Sequence, residues 1–196
     1  MTVRAAAVAA LLVLSGCFGG SDPSFYTLSA AAPSAGEPIA SRPELGLVVG
    51  PVEIPRYLDR PELVMRDGSH RLIVSDDHRW AGSLRTDVTR VIADDLGQLF
   101  GTARVTMYPS EPRFPATYRV LLDVREFEGE PSAKVSLRAR WTITSYADGR
   151  ALAVEESAIE QPVASESAAN VVAAQASAVG ELARRIATRI ASLEPR

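Results

Sequence analysis

The sequence has little cysteine and lysine, and it has no apolar run long enough to cross a bilayer. Its single cysteine excludes a disulfide within the chain, so the fold must depend on a packed core. The formal net charge of −3 offers no basic field for phosphates, which argues against a nucleic-acid partner. The 21 basic residues are all arginine except Lys134, which we interpret as a base-composition bias. The N-terminal apolar stretch, Ala5 to Leu14, has ten residues, whereas a transmembrane helix needs about 20.

The N-terminus does have the pattern of an export signal. Arg4 gives a positive start, the apolar stretch follows, and Ser15-Gly16 supplies the small residues that a peptidase needs before Cys17. This segment resembles a bacterial lipoprotein signal with its lipobox, which implies cleavage before Cys17 and lipidation of that residue by fatty-acyl chains such as palmitate. Two or more such chains hold a protein stably on a membrane. The alternatives are an ordinary cleaved signal with a chance cysteine, or a free buried thiol.

The sequence therefore predicts three segments: a signal peptide at 1–16, a lipidated tether at 17–24 and one folded domain at 25–196. The eight residue steps from Cys17 to Phe25 reach at most about 28 Å, so we expect the body to lie close to the membrane. Phe18 stands where an aspartate would favour retention at the inner membrane. By resemblance to enterobacterial sorting signals, this favours the outer membrane.

Periodicity predicts strands and two helices along the body. Compact or alternating apolar residues predict strands at 25–28, 45–49, 62–66, 70–74, 103–108, 118–127, 134–143 and 151–159. Asp67-Gly68 and Asp148-Gly149 predict hairpin turns, so the last three strands form an antiparallel meander. Apolar residues recur every three or four positions at 79–100 and 167–193, which predicts two amphipathic helices, the first closed by Gly101.

This order of elements predicts an α+β fold, with a mixed or antiparallel sheet and two long amphipathic helices packed on one face of a single domain. The apolar stripe of the second helix packs either on the sheet or on a copy of itself, and its alanines favour the sheet. Trp80 lies on the stripe of the first predicted helix, which favours a core aromatic. Arg138 and Arg140 alternate with apolar residues, which is typical of the solvated face of a strand.

The sequence carries no strong catalytic or metal-binding pattern. His70 and His78 accompany Asp76 and Asp77, but three successive residues cannot all converge on one ion without a special turn, so we expect neither a metal nor another cofactor. Because it has no Gly-rich phosphate loop and no nucleophile elbow, we do not expect an enzyme. A periplasmic hydrolase stays open as the least favoured class, since catalytic groups meet in space and not along the chain.

The segment Tyr57-Leu58-Asp59-Arg60-Pro61 suits either a structural bend or an exposed contact loop.

Three segments carry a resemblance to a known family. Phe25–Leu28 after the lipobox cysteine, Tyr57–Val64, and Arg79–Leu84 resemble the ABC-type transport auxiliary lipoprotein (PqiC-like) family, over nearly the whole mature chain. The sequence departs from the family pattern at Phe25-Tyr26, where a Tyr-Tyr pair is more usual, and at Gly82-Ser83, where an acidic-proline pair is more usual.

The resemblance implies an outer-membrane lipoprotein that faces the periplasm and serves an MCE-type intermembrane lipid transport system. Its implied partners are the MCE-domain protein of a PqiB-like transport system and, through the acylated N-terminus, outer-membrane lipids; formation of a homo-oligomer is left open. The candidate partner contact is the segment of Tyr57, Leu58, Asp59, Arg60 and Pro61. The alternative is a generic structural or assembly-factor envelope lipoprotein with no lipid path.

Overall fold

A computed structural model of the chain describes residues 22–29 and 39–193. The predicted signal peptide, Cys17 and most of the tether lie outside the described residues. In the described part, eight strands and two helices form one α+β unit, as predicted. The strands are β1 (Ser24–Tyr26), β2 (Leu47–Glu53), β3 (Glu62–Asp67), β4 (Arg71–Trp80), β5 (Val105–Met107), β6 (Tyr118–Gly129), β7 (Lys134–Ser145) and β8 (Ala151–Pro162), and the helices are α1 (Leu84–Phe100) and α2 (Ala168–Ser192).

The strands form one mixed sheet around β6. Antiparallel β7 lies along one edge of β6, and β8 follows antiparallel on β7, which confirms the predicted meander. On the other edge, β2 runs parallel to the first half of β6 and carries β5 in parallel. Near its end, β6 meets β3 through the single pair Met65↔Gly129. Antiparallel β4 and then parallel β1 extend the sheet beyond β3.

Both helices cover the same face of the sheet, as predicted. Helix α1 packs over β2 and β5, while α2 packs over β6, β7, β8 and α1. The alternation of β6 and β7 turns Val120, Leu122, Leu137 and Trp141 into this core, where each is buried. Gly129 allows α2 to approach closely, because a Cβ atom there would lie 2.3 Å from Val171 Cγ1.

Helix α1 begins later than its apolar periodicity predicts. The predicted helix starts at Arg79, but Arg79 and Trp80 are the last residues of β4 and pair with β1. The Trp80 N–H also donates to the carbonyl of Pro61 at 2.7 Å, so backbone pairing on both sides keeps this segment extended. Ser83 then caps the helix by accepting the N–H of Thr86 at 3.4 Å. Trp80 is buried as predicted, but as a strand residue.

The other helix ends agree closely with the sequence. Gly101 takes the left-handed conformation at φ 61° and closes α1, as predicted. Ser167 caps α2, whose apolar stripe is buried against the sheet and not left free for a second copy. No helix in the described ranges, 22–29 and 39–193, is long and apolar enough to span a bilayer.

Candidate functional site

The predicted contact segment, residues Tyr57–Pro61, is a short loop between β2 and β3, and we call it the Tyr57 loop. Leu58 is buried in the core, whereas Tyr57 keeps 38% of its surface exposed. The Leu58 N–H donates to the carbonyl of Pro55 at 2.9 Å, which closes a turn at the start of the loop. The loop therefore combines a buried anchor with exposed neighbours.

A buried carboxylate holds the loop against the sheet. Glu128 is only 2% exposed, and its paired partner on β7 is Ser136. It accepts hydrogen bonds from the Tyr57 hydroxyl, from Arg66 at 3.0 Å and from the N–H of Phe127 at 3.1 Å. Three donors compensate the cost of burying this charge, so the loop, β3 and β6 are joined at one point.

These contacts also fix the protonation state of the phenol. Burial, the hydrogen bond to Glu128 and the nearby negative charge together raise the pKa of Tyr57 well above its usual value of 10. Tyr57 therefore remains a neutral donor at every physiological pH. Its hydroxyl is occupied inside the protein, so only the remaining exposed surface of the residue is available to another molecule.

The charged residues of the loop are also paired within the chain. Arg85 of α1 donates to Asp59 at 2.6 Å, and Arg60 donates to Glu62 at 2.7 Å. All four side chains are partly exposed, so these pairs contribute little stability, but they restrict the side chains to one arrangement. The structure shows the bend that one interpretation of the segment predicts. The contact role stays a prediction.

A small cleft lies beside the loop. It encloses about 290 Å³ and runs between the ends of β2 and β5 and the first turns of α1; its lining includes Arg85, Thr89 and Tyr108. Tyr108 is half exposed at the rim. A larger cavity of about 590 Å³ is lined by a different part of the chain, including Thr117, Arg150 and Leu193.

The face of the sheet that the helices leave open carries alternating charges, and we call it the outer sheet face. Arg140 pairs with Glu156 at 2.9 Å, Arg125 pairs with the same carboxylate at 3.2 Å, and Arg138 lies 3.7 Å from Glu126. These side chains are exposed, as predicted for Arg138 and Arg140. Since each arginine faces a carboxylate, this surface presents mixed charge and not a cationic patch.

The histidines considered as metal ligands do not converge. His78 Nδ1 lies 3.3 Å from the Tyr26 hydroxyl, and the two rings meet edge to face at 5.6 Å between centroids. Within the part of the chain that the structure describes, no three histidine, cysteine or acidic side chains could together hold a metal ion. His78 instead helps to fix β1 on β4.

The segment Phe25–Leu28 is the point where the N-terminus joins the body. Leu28 is fully buried, its N–H donates to Asp87 at 3.1 Å, and its carbonyl accepts from Arg90. Both partners lie on α1, and they also pair with each other at 2.9 Å. The segment is thus fixed by β4 on one side and by α1 on the other.

Sequence reasoning missed the residues that support the Tyr57 loop. Glu128 lies one residue beyond the predicted strand 118–127, and a bulge between Val124 and Glu126 shifts the register of β6 ahead of it. Arg66 and Arg85 are ordinary surface arginines in sequence. In the sequence, Glu126 and Glu128 flank Phe127, and nothing in this pattern shows which of the two glutamates is buried.

Taken together, the fold and this site define an α+β domain with a fixed N-terminal entry, a firmly held exposed loop and a mixed-charge sheet face. Residues 26–187 match the profile of the ABC-type transport auxiliary lipoprotein component. The match covers most of the sequence, so the chain belongs to this family of transport auxiliary lipoproteins, which are membrane-anchored components of the cell envelope.

Solved structures share the fold at low identity. Protein XCC0632 from Xanthomonas campestris, of the DUF330 family, has a TM-score of 0.67 and 18% identity, over 85% of this chain and 94% of that chain. An uncharacterized protein has a TM-score of 0.65 and 17% identity, over 86% and 99% of the two chains. PelC from Paraburkholderia phytofirmans, a dodecamer, has a TM-score of only 0.41 and 12% identity, over 78% of this chain and 93% of that chain. A search of curated proteins found no match.

Proposed function

We propose that this protein is an outer-membrane lipoprotein subunit of an MCE-type intermembrane lipid transport system, where it docks the periplasmic conduit to the outer membrane and supports envelope integrity. The observation that carries the proposal is the family match over residues 26–187, which begins nine positions after the lipobox cysteine. The family match supports the transport role, and the lipobox that precedes the matched residues supports the lipid anchor.

The proposed anchor is Cys17, acylated after removal of residues 1–16. In this arrangement residues 17–24 form the tether, and residues 25–196 form the auxiliary domain. The entry segment supports the arrangement, because Leu28 is buried and its backbone is bonded to α1 only eleven positions after Cys17. A lipid anchor with more than one acyl chain then keeps the body at the membrane surface.

The proposed partner is the MCE-domain protein of a PqiB-like system, and the proposed contact is the Tyr57 loop. A lipid that crosses water exposes its chains at a cost of about 25 cal/mol per Å² of apolar surface, so a conduit needs a fixed receiving end. The loop suits this role because the buried side chain of Leu58 and the hydrogen bond from the Tyr57 hydroxyl to Glu128 hold it in place, while Tyr57 stays partly exposed. Rigid tyrosine rings with restricted neighbours are typical of binding hot spots.

The test is photo-crosslinking in intact cells from a reactive amino acid at Arg60 or Pro61. Both positions are exposed in the loop, and Ala173 on the exposed side of α2 is the matched control. We expect the loop positions to crosslink to an MCE-domain protein and the control position not to do so. If the loop gives no such adduct and the protein isolated with its acyl chains carries no MCE partner, a generic structural or assembly-factor envelope lipoprotein is the better description.

A further inference from the structure

An apolar run lies exposed at the turn end of the β3–β4 hairpin. The exposed fractions of Leu72, Ile73 and Val74 are 37%, 40% and 39%. Because successive strand residues point to opposite faces, these three side chains make both faces of β4 apolar there. Met65, partly buried, pairs with Ile73 and adds to one of the two faces. We call Met65 and residues 67–74 the hairpin tip.

One edge of the hairpin tip has no strand partner among residues 22–29 and 39–193. Along one edge, β4 pairs with β3, and along the other it pairs with β1 only at residues 78–80. An open edge with aliphatic side chains on both faces is an aggregation hazard in water, and natural proteins usually protect such edges with charges or cover them. Charges flank the run at Arg71, Asp76 and Asp77, and the aliphatic side chains between them suit an apolar or interfacial neighbour.

The direction of β1 shows which neighbour is close. It runs parallel to β4, with Ser24 opposite His78, so the chain that precedes Ser24 arrives from the side of β4 that begins at Arg71. The seven residue steps from Cys17 to Ser24 reach at most about 25 Å. The seven steps of β4 from Arg71 to His78 rise about 23 Å when regular. The tether is therefore long enough for an acylated Cys17 to lie at the level of the hairpin tip.

We propose that the hairpin tip lies on the phospholipid surface to which the chain is anchored, with Leu72, Ile73 and Val74 in the interfacial layer. The inference rests on the proposed acylation of Cys17. Arg71 flanks the run with a largely exposed guanidinium, which suits phosphate head groups although it also pairs with Asp67. Glu62 begins β3 about 17 Å from Asp67, so the Pro61 end of the Tyr57 loop lies farther from the membrane than the tip. Tyr57 itself is joined through Glu128 to Arg66 beside the tip.

Site-specific labelling tests this placement in the acylated full-length mature protein. Since its only cysteine carries the acyl chains, a cysteine introduced by Ile73→Cys can be labelled alone with an environment-sensitive fluorophore. Val154→Cys is the matched control, because Val154 is a β-branched residue that is 59% exposed on β8. Both proteins are reconstituted into vesicles of phosphatidylethanolamine and phosphatidylglycerol, with and without a lipid that carries a quencher in its acyl chain.

We expect the lipid-borne quencher to reduce the emission at position 73 about twofold or more, since interfacial apolar groups are buried roughly 5–10 Å into the boundary between head groups and acyl chains. Emission at position 154 should not change. Protection of position 73 from both lipid-borne and aqueous quenchers would show that residues 17–22 cover the tip, and protection that depends on protein density would show a second copy; either result overturns the proposal. Failure of the unlabelled protein to float with vesicles would instead contradict the proposed anchor.

Discussion

Replacement of Asp95 by asparagine should stabilise the protein at neutral pH. Asp95 lies on α1 and is 2% exposed, and its Oδ2 atom has no hydrogen-bond partner among the described residues. Burial, and to a smaller extent the neighbouring charge of Asp94, raises the pKa of this carboxyl to about 6, while Arg184 on α2 lowers it in part. The native fold therefore carries an ionised carboxylate at neutral pH in a site that favours the neutral form.

The magnitude follows from the difference between the native and unfolded pKa values. The ordinary aspartate value is 3.8, so the difference is about two pKa units, each worth about 1.4 kcal/mol. A raised native pKa means that the folded state binds more protons, so stability falls as the pH rises from about 4 to about 6 and the loss of about 3 kcal/mol is complete above that range. Asp95→Asn removes this loss and keeps a side chain of similar shape.

The assay is urea unfolding of the wild type and the variant, followed by tryptophan fluorescence, at about pH 5 and about pH 7.5. We expect the variant to be more stable by up to about 3 kcal/mol at the higher pH and by about half of that at the lower pH. Asp94→Asn is the control, since Asp94 is half exposed and its replacement should have a much smaller effect. An advantage for Asp95→Asn that is the same at both pH values, or a loss of stability, would refute the reasoning.

Three further substitutions test the anchor, the loop and the core. Cys17→Ala should leave the body folded but release it from membranes, and persistence in the outer-membrane fraction would show that acylation does not localise it. Tyr57→Phe removes a donor to a buried carboxylate and should lower the free energy of unfolding by about 1–2 kcal/mol, whereas Tyr108→Phe at the exposed rim should not; equal values would contradict the loop's anchoring. Ile186→Asp should cost several kcal/mol by burying an unpaired charge, against a small effect of Ala173→Asp in the same thermal melts.

The elements with strong local signals could be predicted from the sequence. The β6–β7–β8 meander follows from strict alternation and an Asp-Gly turn, and the spacing of apolar residues in α2 determines which face meets the sheet. Gly101 could be identified as a cap because only its backbone freedom suits the left-handed turn there. In each case the information lies within a few neighbouring residues.

The boundary between β4 and α1 could not be predicted in this way. Apolar spacing places Trp80 on a helix, but its backbone is fixed by Pro61 on one side and Tyr26 on the other, and both lie far away in sequence. The parallel pairs of β2 with β5 and β6 depend on non-local contacts as well. Tertiary pairing here overrides local periodicity.

The candidate site likewise contains residues that the sequence identifies and residues whose role depends on contacts distant in sequence. The Tyr57 loop stands out because an aromatic residue, an opposite-charge pair and a proline follow one another. Glu128 does not stand out, since it is enclosed by Tyr57 and Arg66, which come from two other elements. A charged residue in an alternating strand is normally solvated, and only the assembled structure shows that this one is enclosed.

The way in which Phe25–Leu28 is fixed has a mechanical consequence. Tension on the N-terminus acts along β1, and the pairing with β4 then resists by shear, with several backbone bonds loaded at once and not broken one after another. Leu28 follows β1 in the chain, and its backbone is hydrogen-bonded to Asp87 and Arg90 of α1. The force is therefore transmitted to this helix and not to a loop. A domain attached in this way can withstand a pulling force on its N-terminus without the separation of β1 from β4.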